Sequence, residues 1–130
     1  MDLHESGEMY LETLYILSQE KDCVRSLDLA EQMGYSKPSV SRAVGILKNN
    51  GYIYTDNGGC LYLTDKGEEI AFKIYQRHVV LMDMLSRLGV STDTAAKDAC
   101  RIEHVISDET FDAIRKHMRD TSPAGSSERG

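Results

Sequence analysis

The residue pattern changes period at Asn50-Gly51, and that change restricts the fold more than any other feature of the chain. Before it, Val40, Ala43, Val44, Ile46 and Leu47 recur at helical spacing; after it, Tyr52-Ile53-Tyr54 and Cys60-Leu61-Tyr62-Leu63 form two β-prone runs. Asp56-Asn57-Gly58-Gly59 lies between the runs and supplies residues that tolerate the left-handed backbone of a tight hairpin turn. The helical stretch opens with Ser36-Lys37-Pro38, a cap serine and then a proline in the first turn, where its missing N–H costs nothing. Upstream, Ser26 stands as an N-cap before the apolar stripe of Leu27, Leu29, Ala30 and Met33, and Gly34 can end that helix in the left-handed region. Two short helices across a Gly34-Tyr35 turn, followed at once by a hairpin, predict a winged helix-turn-helix.

Further helices flank this unit. Tyr10, Leu11, Leu14, Tyr15 and Leu17 place a first helix over Glu8 to Glu20. Thr64-Asp65-Lys66-Gly67 leads into a long helix expected from about Glu68 to Leu88, stopping at Gly89. Ser91-Thr92-Asp93 caps a helix expected over about Thr94 to Ile106, and Ser107-Asp108 caps a last one ending near Arg119. From Thr121 onward Ser, Pro and Gly dominate, so residues 121–130 are expected to be a disordered tail. The expected fold is mainly α with a small β-hairpin: a winged helix-turn-helix over 1–72 and a helical domain over 73–120. There is no internal repeat.

A net charge of −6 argues at first against nucleic acid, which requires a basic footprint. The total conceals a division, however. Val24 to Arg77 holds seven Lys/Arg against six Asp/Glu, and the remainder holds eight against fifteen. A near-neutral portion suits DNA and an acidic one suits divalent cations. The three cysteines, Cys23, Cys60 and Cys100, are odd in number and widely spaced, so no disulfide framework is expected and any important cysteine reads as a ligand or a buried residue. No apolar run approaches bilayer-spanning length and no secretion signal is visible, which makes the cytoplasm the expected location and a membrane an unexpected partner.

The helix after the turn presents Ser36, Lys37, Pro38, Ser39, Ser41 and Arg42 from its first two turns, while Val40, Val44 and Leu47 face inward. Such residues suit the major groove: hydroxyls and an arginine for base edges, a lysine and free N–H groups for phosphates. A solvated polar face, or a winged helix used only for protein contacts, has the same pattern. Without a strong basic stripe each module binds modestly, which favours a dimer on a two-part site.

Cys100, Glu103 and His104 fall at i, i+3 and i+4, so a thiolate, a carboxylate and an imidazole share one helix face and make a half-site for a divalent transition metal. A buried Cys beside a solvated Glu-His pair has this spacing too. Met9 and Glu12 stand at i and i+3 on the first helix, and His78 lies in Gln76-Arg77-His78 of the long one. Taken singly, each is also an ordinary core or surface residue. His4 and His117 have no comparable neighbours and carry no role.

Four motifs in order, Glu8-Met9-Tyr10-Leu11-Glu12-Thr13-Leu14-Tyr15, Asp28-Leu29-Ala30 with Ser39-Val40-Ser41, Leu63-Thr64-Asp65-Lys66-Gly67, and Ala99-Cys100-Arg101-Ile102-Glu103-His104-Val105-Ile106-Ser107-Asp108-Glu109, resemble the diphtheria toxin repressor (DtxR/MntR) family. The resemblance spans residues 8 to about 118. It implies a homodimer, held by the C-terminal helices, that binds palindromic double-stranded operator DNA when loaded with Fe(II) or Mn(II) and represses metal-uptake genes. The domain over 73–120 would then bind metal and dimerise. It further implies metal ligands at Met9, Glu12, His78, Cys100, Glu103 and His104. Met9 and Cys100 match iron-type members, whereas Glu12 and His78 match additional ligands of the manganese type, as does the short length.

The chain also departs from the iron type. The ancillary site that the resemblance implies needs a His four residues before the Cys and a Glu four after the His; here stand Ala96 and Met82, with Asp83 beside the latter. Thiolate and thioether ligands disfavour hard Mn(II), so Fe(II) is the expected ion, Mn(II) the alternative, and Zn(II), Co(II) or Ni(II) surrogates. The remaining alternative is a metal-independent winged-helix regulator. Neither a nucleophile-base pair nor a phosphate-binding glycine loop is present, so no enzyme and no small organic substrate is expected.

Overall fold

The computed structural model describes residues 5–121, so the expected tail, apart from Thr121, and His4 lie outside the described residues. The chain divides into two compact units, Met1–Ile74 and Tyr75–Gly130, with the division inside one long helix. The described residues are mainly helical with one two-stranded antiparallel sheet.

The first unit runs α1 (Glu5–Glu20), α2 (Ser26–Met33), α3 (Lys37–Asn49), β1 (Ile53–Thr55), β2 (Leu61–Leu63) and the start of α4 (Asp65–Arg87). Leu11 and Leu14 of α1, Leu29 of α2, Val40 and Leu47 of α3, and Ile53 and Leu61 of the hairpin are buried together. Gly34 adopts φ 72° after α2, where its N–H donates to Ala30 O and a side chain would be strained. Ser36 caps α3 by accepting from the Ser39 N–H at 3.3 Å, and Pro38 sits in the first turn. The two helices of the expected helix-turn-helix are therefore present with the expected turn between them.

The hairpin pairs Ile53 with Leu63, Tyr54 with Tyr62 and Thr55 with Leu61. Its turn is organised by Asp56, whose carboxylate accepts from the N–H groups of Cys60 and Gly58 at 2.9 Å and from the Tyr62 hydroxyl at 3.0 Å. The Cys60 N–H first, then the Tyr62 hydroxyl, hold the Asp56 carboxyl below its ordinary range; the same carboxylate pushes the Tyr62 hydroxyl up. Across β2 from β1, Leu61 bridges Val24, with the Leu61 N–H donating to Val24 O at 2.7 Å.

That bridge overturns one expectation. Cys23 and Cys60 form a disulfide, with Cα atoms 5.2 Å apart and a sequence separation of 37. Cys100 takes part in no disulfide. The two cysteines are widely spaced in the sequence, but the long-range Val24–Leu61 bridge brings their neighbourhoods together.

Other boundaries move for local reasons. The N-cap of α2 is Arg25 rather than Ser26, because Asp28 turns back to accept the Arg25 N–H at 2.8 Å. Lys21 pairs with the same carboxylate and is the main reason its pKa lies below the ordinary value. α1 begins at Glu5 rather than Glu8. α4 begins at Asp65 rather than Glu68, since Thr64 Oγ1 accepts the Gly67 N–H at 3.1 Å and so acts as a cap.

Gly67 has a second constraint. A Cβ built there would lie 2.0 Å from Tyr52 O, a main-chain atom already accepting the Thr64 N–H. Gly67→Ala is therefore expected to destabilise the protein by about 3 kcal/mol, because helix or strand must shift to admit the methyl group. Gly45→Ala is the control: nothing lies within 4 Å of the added Cβ, and mid-helix Gly→Ala stabilises by up to about 1 kcal/mol. Urea titration of the two variants should give shifts of opposite sign; equal shifts would refute the steric argument.

The second unit comprises the remainder of α4, α5 (Thr92–Ile102) and α6 (Asp108–Asp120), in which Leu81, Ala95, Ala99, Phe111 and Met118 are buried. Gly89, at φ 98°, ends α4 as expected. Ser91 and Ser107 cap the next two helices by accepting from the N–H groups of Thr94 and Thr110. α5 stops at Ile102, four residues short of the expected Ile106, and a turn through 103–107 follows. No helix among the described residues is long and apolar enough to cross a membrane.

Candidate metal centre and nucleic-acid interface

The Cys100-Arg101-Ile102-Glu103-His104 segment begins in α5 and ends in the turn after it, so the three ligand types are not all on one regular helix as expected. They converge even so. Glu103 retains right-handed dihedrals (φ −58°, ψ −25°) and its N–H still donates to Ala99 O, so the helical path outlives the helix by a residue. One ligand atom each from Cys100, Glu103 and His104 lies within 4.8 Å of the others.

Glu103 is fully buried and Cys100 half-buried; the His104 side chain is fully covered. His78, on α4 of the same unit, places Nδ1 2.7 Å from Glu103 Oε1. Its Nδ1–H donates there in the tautomer that leaves Nε2 as a lone-pair ligand. Glu103 Oε2 stands 3.4 Å from His104 Nε2. A carboxylate in a dry interior is costly unless a cation or strong donors meet it.

This donor set fits a divalent transition metal. Sulfur, oxygen and nitrogen ligands at about 2.0–2.3 Å from one ion stand roughly 3–4 Å apart, within reach of small rotamer adjustments from the present separations. A bound ion would supply positive charge against the Cys100 thiolate and Glu103 carboxylate.

The other sequence-derived ligands belong to the first unit. Met9 and Glu12 occupy successive turns of α1; Glu12 is buried, and Met9 is half-buried beside Thr13, Ile16, Gln32, Met33 and Tyr35. Asp83, the residue beside the missing ancillary carboxylate, is paired with Arg87 at 2.9 Å.

Arg77 is a further residue of this region that no motif in the sequence marks as functional. It is buried despite its charge, and its guanidinium binds the turn that carries Glu103. A signal existed: Ile74, Arg77 and Leu81 fall at i, i+3 and i+7, which puts Arg77 in phase with core positions of α4.

The N-cap Ser36 and, on α3, Lys37, Pro38, Ser39, Ser41 and Arg42 are all exposed, while Val40, Val44 and Leu47 are buried. The Ser36 hydroxyl is occupied by Ser39, so Lys37, Ser39, Ser41 and Arg42 are the side chains that offer polar groups outward. Tyr54 stacks on Tyr62 with ring centroids 5.2 Å apart and is itself exposed on the hairpin.

A winged helix-turn-helix in one unit and a cysteine, glutamate and histidine gathered in the other define the class, a helix-turn-helix regulator with a separate candidate metal-binding unit. Residues 2–59 match the iron dependent repressor N-terminal DNA binding domain, and residues 64–127 match the metal binding and dimerisation domain of the same repressors. The chain belongs to the iron-dependent repressor family of metal-dependent transcriptional regulators.

Transcriptional regulator MntR of Escherichia coli O6:H1 is 35% identical over 106 residues, covering 82% of this chain and 68% of that protein. Diphtheria toxin repressor of Corynebacterium diphtheriae is 30% identical over 122 residues, covering 93% of this chain and 54% of that one. Among solved structures, the manganese regulator SloR superposes with a TM-score of 0.77 at 27% identity, over 91% of this chain and 54% of its own. The chain thus spans about half the length of the latter two proteins.

Proposed function

We propose that this protein is a homodimeric repressor that holds palindromic operator DNA when loaded with Fe(II), in the cytoplasm, and so controls metal-uptake genes. The observation that carries the reading is the convergence of Cys100, Glu103 and His104 within 4.8 Å, because a thiolate beside a carboxylate and an imidazole selects a borderline metal over hard Mn(II). His78 joins the centre through Glu103. Met9 and Glu12 enter the proposal through the family resemblance. Val79, Leu88 and Val105 leave apolar surface exposed on the second unit, which a second copy would cover.

The switch follows from linkage. A metal that prefers the DNA-competent arrangement removes conformational freedom from the recognition helices, so DNA binding costs less, and DNA in turn tightens metal. α3 would enter the major groove with Lys37 on phosphate and Arg42 on a base edge. The second reading is a manganese-responsive regulator, favoured by the His78–Glu103 pair, since carboxylate and imidazole ligands alone also suit Mn(II).

The test is anaerobic titration with Fe(II), Mn(II), Zn(II) or chelator, scored by capture of genomic DNA fragments. Capture of a discrete palindrome, stronger with Fe(II), is the expected result. Capture that ignores chelator would overturn the metal switch, and capture strongest with Mn(II) would transfer the assignment to the second reading. Within the same assay, Arg42→Ala is expected to weaken DNA binding about 10- to 100-fold, the range for one good base contact, while leaving the metal titration unchanged. Equal DNA affinity for the variant would remove Arg42 from the interface.

A further inference from the structure

Arg77 precedes His78 on α4 and is buried. Its Nη1 donates to the main-chain oxygens of Glu103 at 3.1 Å and Ile106 at 2.9 Å, and its Nη2 donates to the Asp108 carboxylate. The Phe111 ring packs against the same guanidinium, with Cζ 5.5 Å from the ring centroid. All of these partners lie in one stretch, from the C-cap of α5 to the first turns of α6.

Each contact has a physical reason. The last carbonyls of a helix lack intrahelical donors, and the negative end of its dipole favours a cation, so the C-terminus of α5 suits a guanidinium. A buried cation needs a counter-charge, which Asp108 supplies from the first turn of α6, itself a favourable place for an anion. The planar fork of arginine satisfies several acceptors in fixed directions, whereas a lysine ammonium is a single point of charge.

The consequence falls on Glu103. Adjacent residues of α4 hold it from two sides: Arg77 by its main-chain oxygen and His78 by its carboxylate. We infer that Arg77 is a positioning residue of the metal centre, fixing the turn from which Glu103 and His104 present their ligand atoms beside Cys100. The inference rests on the metal-centre reading above. Groups that orient ligands without touching the ion typically change metal affinity 10- to 100-fold when removed.

The experiment is anaerobic Co(II) titration of the full chain, comparing the starting protein with Arg77→Met, Arg77→Lys and Asp108→Ala, with unfolding in chelator recorded for each. The Cys100 thiolate-to-cobalt band reports ligation and the ligand-field bands report geometry. Arg77→Met is expected to bind Co(II) about 10- to 100-fold more weakly with altered ligand-field bands. Arg77→Lys should fold but fail to restore those bands, and Asp108→Ala should give a smaller loss in the same direction. Original affinity and spectrum in folded Arg77→Met would overturn the inference. If Arg77→Met does not fold, unchanged spectra in both other variants overturn it instead. A missing thiolate band in the starting protein would refute the metal centre itself, and the role of Arg77 with it; a normal band there with unaltered variants would refute Arg77 alone.

Discussion

Cys100→Ala is expected to lower affinity for Fe(II) or Co(II) by at least about 100-fold while the protein remains folded. Removing groups that merely orient ligands costs up to about that factor, and Cys100 is proposed as a ligand. The fold should tolerate the change, because Cys100 is half-buried near the end of α5 and alanine favours helix. Isothermal titration under anaerobic conditions measures the loss, and the thiolate-to-cobalt band should vanish with it. The other two cysteines cannot substitute while they are bonded to each other.

A companion variant, Cys100→Asp, tests softness separately from ligand number. A hard oxygen in place of sulfur should move the ratio of Mn(II) to Co(II) affinity towards Mn(II) even if both affinities fall. An unchanged titration for Cys100→Ala would show that the Cys100, Glu103 and His104 cluster is structural.

The parts of this molecule that were legible in the sequence are those written in local signals. Gly34, Ser36 and Pro38 mark a helix end and a helix start by their own conformational preferences, so the helix-turn-helix could be read residue by residue. The hairpin was legible for the same reason, with Asp56 and the two glycines closing it. The spacing of Cys100, Glu103 and His104 pointed to convergence although α5 ends at Ile102, because Glu103 keeps helical dihedrals past that end. The early end itself was not legible: the turn is held by Arg77, 26 residues away from Glu103, and no window of α5 contains that donor. The early start of α4 was missed on a smaller scale, since it depends on whether Thr64 points its hydroxyl at Gly67.

Breaking the Cys23–Cys60 disulfide is expected to lower stability by about 4 kcal/mol. The bridge closes a loop with a sequence separation of 37 residues that contains α2, α3 and β1, and the chain-entropy relation assigns roughly that value to a loop of such length. The native side of the balance should change little. Leu61 still donates to Val24 O, Asp56 still holds the hairpin turn, and both cysteines are only half-buried, so reduced thiols can be accommodated without repacking the core.

The effect therefore acts through the freedom of the unfolded chain. Urea titration of the full chain should show the same shift for dithiol treatment and for the Cys23→Ser, Cys60→Ser double variant. Thiol titration of the denatured, unreduced chain should count Cys100 alone, and all three cysteines after reduction. A shift below about 1 kcal/mol would show that the Val24–Leu61 bridge and the hairpin already restrict the chain as much as the covalent bond does. The proposed metal centre lies outside this loop, so dithiol should leave Cys100 in place as its proposed ligand; any change in metal affinity must then be measured against the double variant, which separates loss of the disulfide from competition by the dithiol for metal.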